Sequence, residues 1–309
     1  MRLWLWFALF IAACAMVPFF GNNYALRVAT IMCLYSGLAI SWNFIGGMAG
    51  YPSFATAAFF GLGAYAAAIL QAKGVHLGLA WAIAGVVAAI FAALIGMAIL
   101  HLKGHYFAIA SLAVVEVLRE VVNTAESLTG GGMGINLPLA GMGVNEQARF
   151  FFYAMLAMMA ALLALSIIVN RSKLGFGLRC ISQNEDAADI LGINTTFYKV
   201  SAFSLSAFGV AIIGAIYASW VQYIEPPDVF DILYSVKPLV MVLLGGLGTV
   251  FGPVIGAICY LMLEELVWRN FLTVHAAVLG GLIVVLVLFL PNGLVAMLRD
   301  RRKRAMVQS

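Results

Sequence analysis

The chain has 309 residues, of which 64% are hydrophobic and 10% charged, with a mean hydropathy of +1.04 and a formal net charge of +4. Soluble domains carry about 25% charged residues, so this composition excludes a soluble globule and describes an all-α polytopic membrane protein. The basic residues stand at the ends of apolar runs and form no patch interleaved with aromatics, which excludes a nucleic-acid partner.

A membrane-crossing helix needs about 20 apolar residues. The spacing predicts about ten segments, at 3–20, 25–43, 53–70, 79–100, 106–122, 148–170, 200–222, 234–247, 253–267 and 273–297. The first follows a lone Arg2, as a secretory signal would. It lacks a convincing small-x-small cleavage site before Asn22 and another apolar run follows at once, so it reads as a spanning helix. In the next segments Gly46 and Gly50, then Ala64 and Ala68, recur at four-residue spacing, the pattern by which helices approach closely in lipid. Gly61 to Ala66 formally matches G-x-G-x-x-A, but no strand precedes it and it is not a dinucleotide site.

His101 and His105 flank Lys103 between the fourth and fifth runs; a third metal ligand is missing, so a solvated turn is expected and no metal site. Glu116, Arg119 and Glu120 follow within one turn, and Arg119 can pair with Glu116 at i, i+3. Glycines 130, 131, 132, 134, 141 and 143 then mark a mobile or tightly turned loop over 123–147.

The interval 171–199 is polar between two apolar runs. Ser182 stands three residues before Glu185, the spacing of a reciprocal capping box, and Gly192 offers a helix terminator. A helix over 183–191 would place Ala187, Ala188, Ile190 and Leu191 on one face and Glu185, Asp186 and Asp189 on the other. So short a helix is unstable in water, because isolated helices below roughly 12–15 residues are marginal. Its apolar face therefore lies on the membrane domain or docks a partner. Asn194-Thr195-Thr196 caps the next helix.

Gly245, Gly246, Gly248, Gly252 and Pro253 interrupt the run 234–267, which predicts a pair of broken helices; irregular backbone at membrane depth needs protein or a water-filled cavity behind it. Lys237 can snorkel to the outer interface or offer a cation to an anionic solute, and Glu264 and Glu265 are expected in water. Arg299, Arg301, Arg302, Lys303 and Arg304 form a basic tail over 299–309 beyond a single domain spanning 1–298. With the glycine break as a turn, positive residues divide into 11 on the tail's side and 6 on the other, so both termini and the 171–199 loop are expected in the cytoplasm. Four scattered cysteines read as core filler. The chain contains no G-x-S-x-G, H-E-x-x-H or G-x-x-x-x-G-K-[ST], so no catalytic residues and no nucleotide site of its own are expected.

Ser172-Lys173-Leu174-Gly175, Asn184-Glu185-x-Ala187-Ala188, Leu191-Gly192-Ile193-Asn194 and Tyr198-Lys199 resemble the cytoplasmic loop of LivM-type permeases, the membrane subunits of ATP-binding-cassette importers for branched-chain amino acids. Ala57 to Tyr65, Gly104 to Ala110, Ser127 to Gly131 and Met241 to Gly248 extend the resemblance over most of 40–270. It implies that 183–191 is a coupling helix, with Ser182, Glu185, Ala187, Ala188, Leu191 and Gly192 meeting a cytosolic ATPase. It further implies an inner-membrane complex with a second related permease, two ATPase subunits that carry ATP and magnesium, and a periplasmic solute-binding protein. This chain would bind no cofactor. Tyr51, Thr56, Glu116, Arg119, Lys237, Gly245, Gly246 and Gly248 are the candidate pathway residues. Tyr51 stands where the family usually has Gln, Thr56 where His is common, and Lys237 at an often acidic position, which offers an aromatic or other carboxylate, or a urea-like amide, as the alternative solute. A stand-alone secondary carrier is the alternative from another class; the chain shows neither an internal inverted repeat nor a chain of intramembrane carboxylates for it.

Overall fold

The computed structural model describes residues 2–16, 18, 23–138, 143–270 and 280–281. Among them the chain is almost wholly helical. Helix α1 is Arg2–Ala15, α2 is Asn23–Asn43 with a π-helical turn over Phe44–Met48, α3 is Thr56–Ala72, α4 is Leu77–Ile99 and α5 is His105–Thr124. Short α6, Glu126–Thr129, precedes the long α7, Val144–Arg171; α8 is Lys173–Gln183, α9 is Glu185–Ile190 and α10 is Thr195–Val221. A single turn, α11, spans Pro226–Val229, followed by α12, Leu233–Gly245, and α13, Gly252–Asn270. Four helices are long and apolar enough to cross a membrane, Asn23–Met48, Leu77–Ile99, Val144–Arg171 and Thr195–Val221, so the chain is a multi-pass membrane protein. The expected segment 273–297 and the basic tail lie outside the described residues, apart from helical Gly280 and Gly281.

Helices α3, α4 and α10 pack together as one bundle, with α4 on its outer side. Between helices in lipid there is no hydrophobic drive, so association depends on close packing and polar contacts. Gly63 meets the backbone of Ala211 and Gly214 meets the backbone of Phe60, letting α3 and α10 touch main chain to main chain. Ala67, Ala84 and Ala215 fill the adjoining contact with α4. At one end of this bundle Ser219 Oγ accepts from Gln71 Nε2 and from Trp81 Nε1, both at 2.9 Å. Helix α2 packs on α7 and on α12, and its start is tied to α7 by Asn23 Nδ2 donating to Asn145 Oδ1 at 3.0 Å.

The loop expected over 123–147 is tightly turned where it is described. After α6, Gly130, Gly131 and Gly134 take positive φ, and Ile135–Asn136 pairs antiparallel with Tyr223–Ile224. This small ladder is the one departure from an all-α architecture among the described residues; each strand has only two residues, too short for a period-2 pattern to show.

Between α12 and α13 the backbone is irregular, with Gly246 at φ +123 and Gly248 at φ +66. Asn43 satisfies it from outside: its Nδ2 donates to Thr249 O and its Oδ1 accepts from Gly248 N, both at 3.0 Å. Thr249 Oγ1 donates to Gly246 O at 2.7 Å and accepts from Gly252 N at 3.1 Å. Every one of these groups would be costly unpaired in a low-dielectric interior.

Candidate functional site

The polar interval folds as two short helices set against the end of the bundle opposite the β ladder. Ser172 Oγ opens α8 by accepting from Gly175 N at 3.4 Å. Asn184, extended at φ −161, then breaks the helix and opens α9, its Oδ1 accepting from Ala187 N at 3.0 Å. Gly192 at φ +83 ends α9, and Ile193 N returns to Ala188 O at 3.1 Å, the bond of a left-handed helix stop. Asn194 Oδ1 then caps α10 by accepting from Phe197 N at 3.0 Å, as its sequence suggests.

The capping box expected at Ser182 is not formed. Ser182 lies inside α8 and its Oγ donates to Arg179 O at 3.3 Å, a back-bond available only to a helical residue. The capping residue is Asn184, which has the required extended backbone, and α9 is consequently shorter than the expected 183–191. Replacing Asn184 with alanine should therefore cost about 1 kcal/mol of local helix stability, whereas Ser182→Ala should cost little; amide exchange at Ala187 and Ala188 reads the difference.

The expected single apolar face of α9 is split. Ala188 is 2% exposed and belongs to the main core, whereas Ile190 and Leu191 are 86% and 78% exposed and Ala187 is also outside. Six residues make fewer than two turns, and α9 spends its inward face on one alanine and one carboxylate.

That carboxylate corrects a second expectation, because Glu185 points inward instead of into solvent. Lys199, 3% exposed at the start of α10, donates to Glu185 Oε1 at 2.6 Å, to Leu100 O at 2.7 Å and to Tyr51 OH at 3.1 Å. Tyr51 in turn donates its hydroxyl to Glu185 Oε2, and its ring meets Phe107 edge-on at 5.4 Å between centroids. Burial works to raise the Glu185 carboxyl, but the hydrogen bonds from Lys199 and Tyr51 outweigh it and hold the group below the usual carboxylate range. A lowered folded-state value stabilises the fold above the ordinary carboxylate range, a contribution lost as pH falls through the lowered value. Asp186, on the outer side, pairs with Lys103 at 2.8 Å where both are exposed.

The expected pathway residues are not gathered at one place. Tyr51 belongs to the contacts of the 171–199 interval, and Thr56 is the buried first residue of α3. Glu116 and Arg119 pair with each other at 3.4 Å on the exposed side of α5. Gly245 meets the backbone of Gly252, and Gly248 that of Gly47, so the break packs on protein at these two points, while Leu247 between them is exposed. Lys237 is not a lone cation: its ammonium is 2.7 Å from Glu264 and 5.3 Å from the centre of the Tyr35 ring. Glu264, expected in water, is a half-buried partner because α12 and α13 pack together and bring the two residues face to face.

Sequence reasoning missed the cavity. A space of roughly 490 Å³ opens between α2, α7, α10 and α12, on the side of the bundle carrying the β ladder. Tyr35, Tyr217, Trp220 and Tyr234 give it an aromatic wall, with Arg27 and Asn23 also lining it. Tyr35 also lines a neighbouring space of roughly 320 Å³ shared with Lys237 and Glu264. Such a cavity suits a small solute with an apolar side chain, and a guanidinium in its lining can pair with a carboxylate. The aromatics come from three separate helices, and each alone looks like ordinary interface aromatics.

Compared with known families, residues 24–290 match the branched-chain amino acid transport system / permease component family. The chain is 28% identical over 313 residues to the high-affinity branched-chain amino acid transport system permease protein LivM of Salmonella typhimurium, covering 93% of this chain and 73% of that one. It is 29% identical to LivM of Escherichia coli over the same shares. It is 26% identical over 286 residues to LivH of Escherichia coli, covering 86% of this chain and 92% of that one. No solved structure matches.

Proposed function

The chain belongs to the branched-chain amino acid transport permease family, and on that premise we propose that it is the membrane subunit of an ATP-driven importer whose α9 docks a cytosolic ATPase. The observation that carries this reading is a six-residue helix, capped at both ends, that leaves Ile190 and Leu191 bare outside the bundle. An apolar helix face laid into a groove is a recurring mode of recognition. The polar-loop end faces the cytoplasm under the positive-inside rule. A second related permease completes the membrane part, two ATPases supply ATP hydrolysis and a periplasmic protein delivers the solute. The helix pair α12–α13 counts as two membrane segments of ten, with both termini cytoplasmic in the inner membrane.

A branched-chain amino acid is the proposed solute. Its side chain fits the aromatic wall of the 490 Å³ cavity and its carboxylate can pair with Arg27. Of the three residues that suggested other solutes, Tyr51 is bonded to Glu185, Lys237 is paired with Glu264 and Thr56 is buried. Replacing both Ile190 and Leu191 with glutamate tests the docking. The variant should insert and purify normally, because both side chains are outside the core, yet lose ATPase co-purification and uptake by about 100-fold, the effect of burying unpaired charge at an interface hot spot. Co-purification at the unaltered level would refute the docking.

A further inference from the structure

We propose that Glu185, Lys199 and Tyr51 form a positioning joint that carries displacement of α9 to the wall of the aromatic cavity; it rests on the importer reading above. Because α9 has only six residues and its Asp186–Lys103 pair is exposed, movement imposed on its outer face reaches the buried interior through the few side chains it sends inward. Those are Ala188, in the core, and Glu185. Apolar contact lets surfaces slide, whereas charge-assisted hydrogen bonds are short and directional.

The ammonium of Lys199 has three protons and three acceptors, on Glu185, on Tyr51 and on the Leu100 carbonyl just beyond α4. No donor is spare, so a shift of Glu185 by an ångström or so must break a bond or drag Lys199 and Tyr51 along. Tyr51 lies on the connection 49–55 between α2 and α3, and the polar interval touches that connection a second time where Ser182 packs over Gly50.

The connection is wired onward. Trp42 Nε1 donates to Ser53 O at 2.7 Å, and Phe54 N donates to Ser111 Oγ of α5 at 2.9 Å. Ser235 of α12 donates to Phe54 O at 2.5 Å and accepts from Ala57 N at 2.9 Å. The residue before it, Tyr234, stacks on Phe60 at 4.1 Å between centroids and lines the cavity. A continuous chain of bonded groups thus runs from the bare helix at one end to an aromatic wall at the other. Tyr51, Glu185, Lys199 and Ser235 are positioning residues in this account, since none lines the cavity.

The test uses the complete importer reconstituted in vesicles, comparing the unaltered chain with Tyr51→Phe, Glu185→Gln, Ser235→Ala and the pair Tyr51→Phe with Glu185→Gln. Three quantities are read: ATPase co-purification, the rate of ATP hydrolysis, and leucine imported per ATP. Tyr51→Phe keeps the ring against Phe107, so the complex should assemble and hydrolyse ATP within about two-fold of normal. Leucine imported per ATP should fall at least about five-fold, the lower end of ordinary coupling between sites. The paired variant should fall no further than either single one, because both act on one network. An assembled Tyr51→Phe complex with unchanged import per ATP would overturn the joint while leaving the docking intact. Failure of the unaltered chain to bind ATPases at all would overturn the importer reading itself.

Discussion

Gly63→Leu is expected to remove nearly all folded protein from the membrane. A Cβ at Gly63 would stand 2.1 Å from Ala211 O, and the reciprocal position, Gly214, leaves 2.2 Å to Phe60 O. Both obstacles are main chain, which cannot turn aside as a side chain does. Ordinary overpacking costs about 1–3 kcal/mol because neighbours shift rotamers; here two helices must separate. Separation would also undo the stack of Phe60 on Tyr234 and loosen the bonds that Gln71 and Trp81 make to Ser219. Gly78→Ala, in the first turn of α4, is the control: the nearest atom to its added Cβ is His76 Nδ1 at 3.9 Å. Alanine there should stabilise by up to about 1 kcal/mol through helix propensity. Size-exclusion profiles and thermal melting of detergent-purified protein read both.

Lys237→Met should destabilise strongly, and adding Glu264→Met should restore much of the loss. The pair is 2.7 Å apart with side chains 17% and 26% exposed. Removing one partner strands the other charge in a poorly solvated site, an effect of about 3–5 kcal/mol, whereas replacing both with apolar groups is often neutral or better. Glu264→Met alone should be as harmful as Lys237→Met, since it leaves an ammonium facing the Tyr35 ring at 5.3 Å with its carboxylate gone. Melting temperatures of the two single variants and the pair form a double-mutant cycle, and additive losses would show that the ion pair contributes nothing specific.

Much of the fold was legible because lipid imposes a simple rule on long helices. The expected runs 25–43, 79–100 and 200–222 appear as helices Asn23–Asn43, Leu77–Ile99 and Thr195–Val221. Asn194 was readable as a cap because the signal is local. Ser182 misled for the same reason: the spacing to Glu185 is right, but whether α8 continues through Ser182 is decided by its packing near Gly50. The inward turn of Glu185 required knowing that Lys199 and Tyr51, 14 and 134 residues away, meet it. Lys237 and Glu264, 27 residues apart, were likewise read singly because their meeting depends on how α12 and α13 fold back. The cavity depends on four helices at once, and no window of sequence contains it.

The docking of α9 is tested most directly by placing a photo-reactive amino acid at position 191 in the assembled importer and identifying what it captures. The account predicts an adduct with the ATPase subunit, and none with it from the same probe at Leu128, which is exposed on the short α6 beside the β ladder. Capture of the solute-binding protein from position 191, or no ATPase adduct from an intact complex, would contradict it.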